Sequence, residues 1–396
     1  MLEGGVRPPG GLSMTPPVNN GAREFDFLSV AVRPTPDLAR LRASLVEGAL
    51  DFAVVEELAA DHGVRPLLAI ALAAVQWQGV PATLRTSLDS FAHGHLVRTL
   101  AMSEALGRLV RLFGQNAIRF AVFKGAVLAA DLYGDLSRRE FTDIDVIVPP
   151  GSRAGAEALA ATLGYVSRQG ERAFREAFLG YQGQYALVGN DTAVDLHWDF
   201  SAVPLPFPLS AAEIWPKLVS TRVGNTDVPS LAPDDLALLL AGHGMKEAWK
   251  SLAWICDFAM LIDRLPHLDW TTLYGRAHRR GCGDAVLVGA TLAERICGVA
   301  MPAGLKPIVG QRLRVERVVT KVVARLHDRH AIRQGQRDLD DLDLCDDAWG
   351  RFKALAGFAL TPTPGDYRAL PLPRPLWPLY YVARPVRLAG RLLFRR

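Results

Sequence analysis

Two aspartates one residue apart, Asp143 and Asp145, are the side chains of this chain best suited to metal chemistry. They begin an apolar segment, residues 143–148, which predicts a central β-strand. Side chains alternate along a strand, so both carboxylates face one side, about 6–7 Å apart along the backbone. Two such carboxylates repel each other unless a cation lies between them, and they suit Mg²⁺ that also holds a substrate phosphate. The pair therefore predicts a metal-dependent active site, with Mg²⁺ as the expected ion and Mn²⁺ as the alternative.

A short turn, Lys124-Gly125, lies upstream of this pair, between a predicted strand over 118–123 and a predicted helix over 126–133. Backbone N–H groups at the start of a helix can bind phosphate oxygens. Lys124 is expected to neutralise the leaving phosphates, and Arg139, four residues before the aspartate pair, to clamp phosphate with two hydrogen bonds. Together these residues predict a nucleotidyltransferase active site that binds a nucleoside triphosphate.

A third carboxylate is expected from Asp195, which lies in a predicted strand over 193–198. His197 faces the same side of that strand. If the two strands are neighbours, Asp143 and Asp145 hold one Mg²⁺ on the triphosphate, and Asp145 and Asp195 hold a second that activates the acceptor hydroxyl. His197 has two interpretations: a ligand or proton carrier of the site, or a structural hydrogen-bonding group.

A polar stripe follows in the helical part of the chain, where His243, Lys246, Lys250 and Asp257 recur at offsets of three, four and seven. If one helix spans them, they share a face, and the apolar residues around them indicate burial. Buried charges need partners or a ligand. We expect the stripe to cover the nucleotide cleft, with a lysine reaching phosphate; the alternative is a structural hydrogen-bond network.

Composition disfavours a nucleic-acid partner, a zinc or disulfide site, and a membrane-spanning or secretory segment. The net charge of the 396-residue chain is only +4, and the α/β segment lacks basic residues interleaved with aromatics, so a nucleic-acid partner is the least favoured. The four cysteines form no C-x-x-C pair, which fits the reducing cytoplasm better than a zinc site or a disulfide framework. No apolar run suggests a secretory signal or a transmembrane helix.

Hydrophobic periodicity divides the chain into five parts. The predicted fold class is α+β (α/β), with a small mixed-sheet core between two helical regions. The parts are a disordered segment over 1–36, a helical region over 37–117, the core over 118–205, a helical domain over 206–335, and an acidic stretch with a basic, proline-punctuated tail over 336–396. A short hairpin is expected around 219–228.

The last part has two contrasting halves. Six aspartates lie between Asp338 and Asp347, whereas seven arginines and no acidic residue lie between Arg368 and Arg396. The acidic half predicts a solvated loop or a docking surface. The basic half predicts a helix packed on its own domain, and the alternative is weak contact with an anionic membrane surface or an acidic protein.

These motifs together resemble an uncharacterised nucleotidyltransferase family of bacteria, a distant branch of the polymerase-β-like superfamily. The resemblance covers roughly residues 60–270 and rests on residues 61–67 (DHGVRPL), 123–125 (FKG), Tyr133, 139–145 (RxxxDID), 195–198 (DLHW), 243–246 (HGMK), Trp249, Lys250 and 252–257 (LAWICD). It implies the superfamily's fold and metal-dependent transfer of a nucleoside monophosphate. The superfamily usually has Gly-Ser or Gly-Gly where this chain has Lys124-Gly125, so the serine that contacts phosphate is missing.

Three functions remain open at this point, and the third of them is a toxin–antitoxin-like regulator that nucleotidylates a protein partner. The first is an enzyme that moves a nucleoside monophosphate from a nucleoside triphosphate to a hydroxyl of a small molecule, a peptide or a protein. The second is a catalytically silent nucleotide-binding or regulatory protein of the same fold. Three mutually repelling carboxylates favour the enzyme, because a silent protein has no need of them.

Overall fold

The computed structural model describes residues 21–167, 183–189, 192–201, 206–327 and 345–393. The described residues form a mixed α/β structure whose single sheet lies between helices from both ends of the chain. The helices are α1 (Ala22–Ala31), α2 (Leu38–Val46), α3 (Phe52–Asp61), α4 (Arg65–Ala74), α5 (Ala82–Gln115), α6 (Gly125–Tyr133), α7 (Arg153–Thr162), α8 (Ala211–Ile214), α9 (Pro233–Lys246), α10 (Leu252–Arg264), α11 (Trp270–Arg279), α12 (Gly283–Cys297), α13 (Lys306–Val309), α14 (Leu313–Leu326), α15 (Ala348–Leu360), α16 (Pro364–Ala369) and α17 (Tyr380–Leu393).

The sheet has seven strands in the order β3-β4-β5-β2-β1-β7-β6. The strands are β1 (Ala121–Val122), β2 (Asp143–Ile147), β3 (Val166–Ser167), β4 (Gln184–Gly189), β5 (Thr192–His197), β6 (Val219–Val223) and β7 (Thr226–Ser230). Strand β2 pairs in parallel with β5 and β1 in parallel with β7, while the other neighbours are antiparallel. The hairpin expected around 219–228 is present as β6 and β7. It belongs to this sheet, so the sheet extends beyond the boundary expected at residue 205.

The two faces of β2 contribute to different cores, as the alternation of its side chains predicts. Ile144 and Val146 pack in a core that also contains residues of α5 and α7, such as Leu106 and Ala156. Ile147 belongs to a larger core formed mainly by the helices. The odd-numbered face of β2, which carries the two aspartates, therefore lies on the side of the larger core.

The N-terminal segment needs a correction. Residues 1–36 were expected to be disordered, but α1 occupies part of this range and buries Phe25, Leu28 and Val30 in the larger core. Phe25 and Leu28, and likewise Phe27 and Val30, lie three residues apart, as buried neighbours on a helix do, and α1 packs on α3. The signal is short and follows a Gly- and Pro-rich stretch, which hid it. Residues 1–20 lie outside the described residues.

A buried histidine, His62, joins the two helical regions. Its Nε2 is 3.2 Å from the carbonyl oxygen of Leu326, and its Nδ1 accepts the backbone N–H of Leu252 at 3.2 Å. The Ser251 hydroxyl donates to the carbonyl oxygen of His62 at 2.9 Å. Because burial lowers the pKa of His62 to about 4, the ring is neutral and can accept and donate at once. These bonds connect two sequence motifs that are distant along the chain, 61–67 and 252–257.

Among the described helices, none has the length and apolar character that a bilayer crossing requires.

Candidate active site

The parallel pairing of β2 with β5 places the acidic residues side by side. Asp145 lies opposite Asp195, and Ile147 lies opposite His197. Ligand atoms of Asp145, Asp195 and His197 all lie within 4.8 Å of one another, a spacing that a metal ion could bridge. Asp143 begins β2, two residues before Asp145 on the same face, and its charge interacts with those of the other two aspartates.

Asp145 is the electrostatic centre of this cluster. One of its oxygens, Oδ1, lies 2.7 Å from the Lys124 ammonium and 3.1 Å from His197 Nε2. Burial favours the neutral acid, but Lys124 and His197 together hold the pKa of Asp145 well below its usual range. Asp145 is therefore a carboxylate at any physiological pH.

His197 acts on Asp145 as a hydrogen-bond donor. A carboxylate can only accept, so Nε2 carries the proton in this contact. Burial lowers the pKa of His197, although Asp145 opposes this, and the ring is neutral. Its buried Nδ1 has no hydrogen-bond partner among the described residues. The Nε2–H group thus orients Asp145, and the neutral ring keeps a lone pair on Nδ1, which is also the arrangement in which a metal-bound histidine donates its second N–H to a carboxylate.

Asp143 and Asp195 behave differently from Asp145. Burial, together with the negative charge of Asp145, raises the pKa of Asp143 to about 6. The same two causes raise the pKa of Asp195. The nearby lysines offset these effects only in part, and a divalent cation with oxygen ligands would supply the remaining positive charge. Three carboxylates on two rigid strands are a donor set that fits Mg²⁺.

The Lys124-Gly125 turn has a constrained backbone. Lys124 has a φ of 63° and Gly125 a φ of 44°, both in the region that favours glycine. A Cβ atom on Gly125 would lie 3.2 Å from the carbonyl oxygen of Asp143, so this position also needs a small residue. A lysine at positive φ costs about 1–3 kcal/mol, and the ion pair with Asp145 accounts for its presence. The turn leads directly into α6, whose first N–H groups have no partner within the helix.

Arg139 has a different partner from the one expected. Its Nε and Nη2 donate to the two carboxylate oxygens of Asp257, both at 2.8 Å, and the Tyr133 hydroxyl donates to Asp257 at 2.8 Å. The side chains of Arg139 and Asp257 are 11% and 2% exposed. This corrects the expectation that Arg139 is available to clamp phosphate, because the guanidinium edge needed for that contact binds a carboxylate of the chain itself.

The polar stripe also needs a correction, because no single helix spans it. Helix α9 ends at Lys246 and α10 begins at Leu252, and Ala248 and Trp249 between them have φ values of 54° and 50°. The break separates the two lysines of the stripe. Lys246 Nζ donates to Gln184 Oε1 at 3.2 Å, whereas Lys250, 40% exposed, pairs with Glu247 at 3.0 Å.

Gln184 was missed by the sequence reasoning. Its Nε2 donates to Asp195 Oδ2 at 3.4 Å, so it connects Lys246 to the carboxylate cluster. The sequence feature that could have indicated Gln184 is its position at the start of a predicted strand. In the structure this strand, β4, pairs with β5 and sets Gln184 opposite His197. His243 lies on the same side, half-buried against Trp254, and desolvation with the nearby charges of Lys124 and Lys246 lowers its pKa far below the usual value.

Comparison with known proteins identifies a family that matches this chain. A family model described as uncharacterised nucleotidyltransferase matches residues 49–298, well over half of the chain. Among solved structures, the antibiotic-resistance factor ANT(2'')-Ia, described as having substrate-regulated conformation dynamics, matches with 13% identity and a TM-score of 0.28. That match covers 55% of this chain and 98% of the other. No curated protein matches.

Proposed function

The chain belongs to this family of uncharacterised nucleotidyltransferases, and we propose that it moves a nucleoside monophosphate from a nucleoside triphosphate to a hydroxyl acceptor, with release of pyrophosphate and dependence on Mg²⁺. The observation that carries the proposal is the register of β2 and β5, which sets Asp145 opposite Asp195 beside the Lys124-Gly125 turn. We place the reaction in the cytoplasm, since the cysteines of the described residues are all free thiols.

Each residue of the cluster receives a role in this proposal. Asp143, Asp145 and Asp195 would hold Mg²⁺, or Mn²⁺ in its place. When bound there, the metal supplies charge neutralisation for the phosphate oxygens and lowers the pKa of the attacking hydroxyl. Lys124 and Lys246 bring positive charge to the same face and are assigned to the triphosphate.

Two further assignments concern protons and orientation. The half-buried Asp195 is assigned to accept the proton of the acceptor hydroxyl, because it is less buried than Asp145, which lies opposite it across β2 and β5. His197 is assigned to hold Asp145 in place through Nε2–H. Gly125 admits the close approach of the turn to β2 and of a phosphate to the start of α6. His243 and Lys250 are assigned to the cover of the site, since His243 packs edge-on against Trp254 and the Lys250 ammonium lies 5.7 Å from the same ring.

The acceptor is proposed to be a small molecule, a peptide or a protein. A catalytically silent nucleotide-binding protein is the alternative. The pKa values of Asp143 and Asp195 disfavour it, because burial of two poorly compensated carboxylates destabilises a protein that never binds a cation.

Labelling tests the proposed function directly. The protein would be incubated with each α-³²P-labelled nucleoside triphosphate, Mg²⁺ and a cell extract, and the products separated by gel electrophoresis and thin-layer chromatography. Label on a protein band identifies a protein acceptor, and label on a small product identifies a small molecule. The double variant Asp143→Asn/Asp145→Asn is the control, and undiminished labelling with it would remove the catalytic assignment.

A pH-dependent response to Mg²⁺ is expected without any acceptor. The folded-state pKa of Asp143 is about 6, above its ordinary value, so this carboxyl favours the folded protein at low pH and disfavours it as pH rises through 6. Mg²⁺ needs the carboxylate form. The metal should therefore raise the melting temperature clearly at pH 7.5 and little at pH 5. The variant Asp143→Asn should lose much of this pH dependence, and an equal Mg²⁺ effect at both pH values in the parent protein would contradict the assignment.

Replacement of Lys246 by alanine is expected to weaken triphosphate binding more than folding. Lys246 is held by the neutral side chain of Gln184, and its charge interacts with Asp195, so it is placed to meet an anion. We expect triphosphate affinity to fall by about tenfold, the usual value of one charged hydrogen bond, as measured by isothermal titration calorimetry. Lys306→Ala, at an exposed position on α13, is the matched control. A loss of folding free energy as large as the loss of binding free energy would count against the assignment.

A further inference from the structure

The C-terminal unit, residues 345–393, has a surface unlike that of the rest of the chain. Its exposed large apolar side chains are Trp349, Phe352, Leu355, Leu360, Leu370, Leu376, Leu379, Val382 and Val386. They make up nine of the seventeen such side chains among the described residues. The unit lies outside the range matched by the family model, and the proposed active site does not use it. We propose that this surface docks on an anionic phospholipid membrane.

Helix α17 gives the first part of the evidence. It exposes apolar side chains and buries a charged one, the reverse of a surface helix on a soluble protein. Leu379, at its N-terminal edge, and Val382 and Val386 follow one face at offsets of three and four and are 50%, 66% and 67% exposed. Arg384 is only 5% exposed and donates to Asp366 Oδ2 at 2.7 Å, and Arg387 also pairs with Asp366.

The Asp366 network explains why the helix does not simply rotate. Asp366 also accepts hydrogen bonds from the backbone N–H and the hydroxyl of Thr363 at the start of α16. Turning the apolar face of α17 inward would separate Arg384 from this buried carboxylate, which is costly. The fold of the unit thus holds an aliphatic row toward the outside.

Helix α15 adds aromatic side chains beside basic ones. Trp349 and Phe352, stacked at 5.4 Å, are 62% and 58% exposed, and Lys353 Nζ lies 5.9 Å from the Trp349 ring. The guanidinium of Arg374 lies 5.7 Å from the Trp377 ring in the segment before α17. Tryptophan next to lysine or arginine is typical of the boundary between lipid headgroups and acyl chains.

The net charge of the C-terminal unit indicates which kind of partner fits this surface. Residues 345–396 contain nine lysines and arginines and three acidic residues, so their net charge is +6 while that of the whole chain is +4. A second copy of this surface would be repelled by the same charge, and nucleic acid would pair with the arginines but leave the aliphatic row in water. An anionic bilayer satisfies both properties, with headgroups for the basic side chains and acyl chains for the apolar ones.

Vesicle co-sedimentation of the full chain tests the proposal. The probes are phosphatidylcholine vesicles and phosphatidylcholine vesicles containing phosphatidylglycerol. The parent protein should sediment with the anionic vesicles and much less with the neutral ones, and high salt should weaken the binding. The variant Val382→Glu/Val386→Glu should lower the partition coefficient by at least about tenfold. The control Val46→Glu/Leu313→Glu makes the same change at two exposed apolar positions elsewhere, 86% and 83% exposed, and should bind as the parent does.

Several results would overturn the proposal. These are equal sedimentation of the parent and the Val382→Glu/Val386→Glu variant, no binding of the parent to anionic vesicles, and an oligomer that this variant dissociates without any vesicle binding. RNA binding that the same variant abolishes, in the absence of vesicle binding, would assign the surface to nucleic acid instead. Nucleotide labelling should be unchanged in this variant, so failure of the membrane proposal is separable from failure of the proposed catalytic function.

Discussion

Replacement of Asp145 by asparagine is expected to lower nucleotidyl transfer by about three orders of magnitude. Asp145 is the carboxylate closest to both Lys124 and His197 and the one that lies opposite Asp195 across the two parallel strands. A metal at such a site contributes several kcal/mol of transition-state stabilisation. About 4 kcal/mol corresponds to a thousandfold change in rate. The measurement is the initial rate of label transfer from the α-labelled triphosphate at saturating Mg²⁺.

The same substitution should also be visible without catalysis. Asparagine carries no negative charge, so the Lys124 ammonium, 17% exposed, loses its ion-pair partner. Mn²⁺ titration followed by electron paramagnetic resonance should show weaker binding in the variant. Asp227→Asn is the matched control, because Asp227 lies on β7 of the same sheet but is 69% exposed and pairs only with Arg222 among the described residues. Transfer within tenfold of the parent rate, with Mn²⁺ binding unchanged, would contradict the role of Asp145.

The carboxylate cluster shows what local sequence patterns could predict. Alternation along a strand correctly puts Asp143 and Asp145 on one face of β2, and the apolar run around them identifies a central strand. The expectation that Asp195 lies on a neighbouring strand follows from a similar pattern, and β5 is that neighbour. The directions of these side chains depend on residues within a few positions of one another, where strand geometry is decisive, whereas the pairing of β2 with β5 joins distant parts of the chain.

Long-range partners could not be predicted in this way. Asp257 binds Arg139 across 118 positions, and Gln184 approaches Lys246 across 62. The sequence pattern also did not predict the break between α9 and α10. The break depends on Trp249, whose buried ring fills the space beside Gly244 and Gly289, where a side chain would otherwise lie. Apolar periodicity continues through such a break, so a pattern alone favours one long helix. Tertiary packing decides the chain path instead.

Replacement of Asp257 by alanine is expected to destabilise the protein by about 3–5 kcal/mol, the usual cost of leaving a buried charge without its partner. The variant would leave the Arg139 guanidinium without the acceptors of two hydrogen bonds and the Tyr133 hydroxyl without one, all in a buried region. The measurement is the urea midpoint of the metal-free protein. Asp263→Ala, at an exposed position of the same helix α10, is the matched control and should change the midpoint little.

A double variant separates a structural role of Arg139 from phosphate binding. Arg139→Met/Asp257→Leu replaces the ion pair by apolar side chains, and buried pairs replaced in this way often keep or regain stability. If Arg139 serves the fold through Asp257, the double variant should recover most of the lost stability and bind triphosphate with an affinity close to that of the parent. If Arg139 instead bound phosphate, Asp257→Ala would cost little stability, and the stable double variant would fail to bind triphosphate.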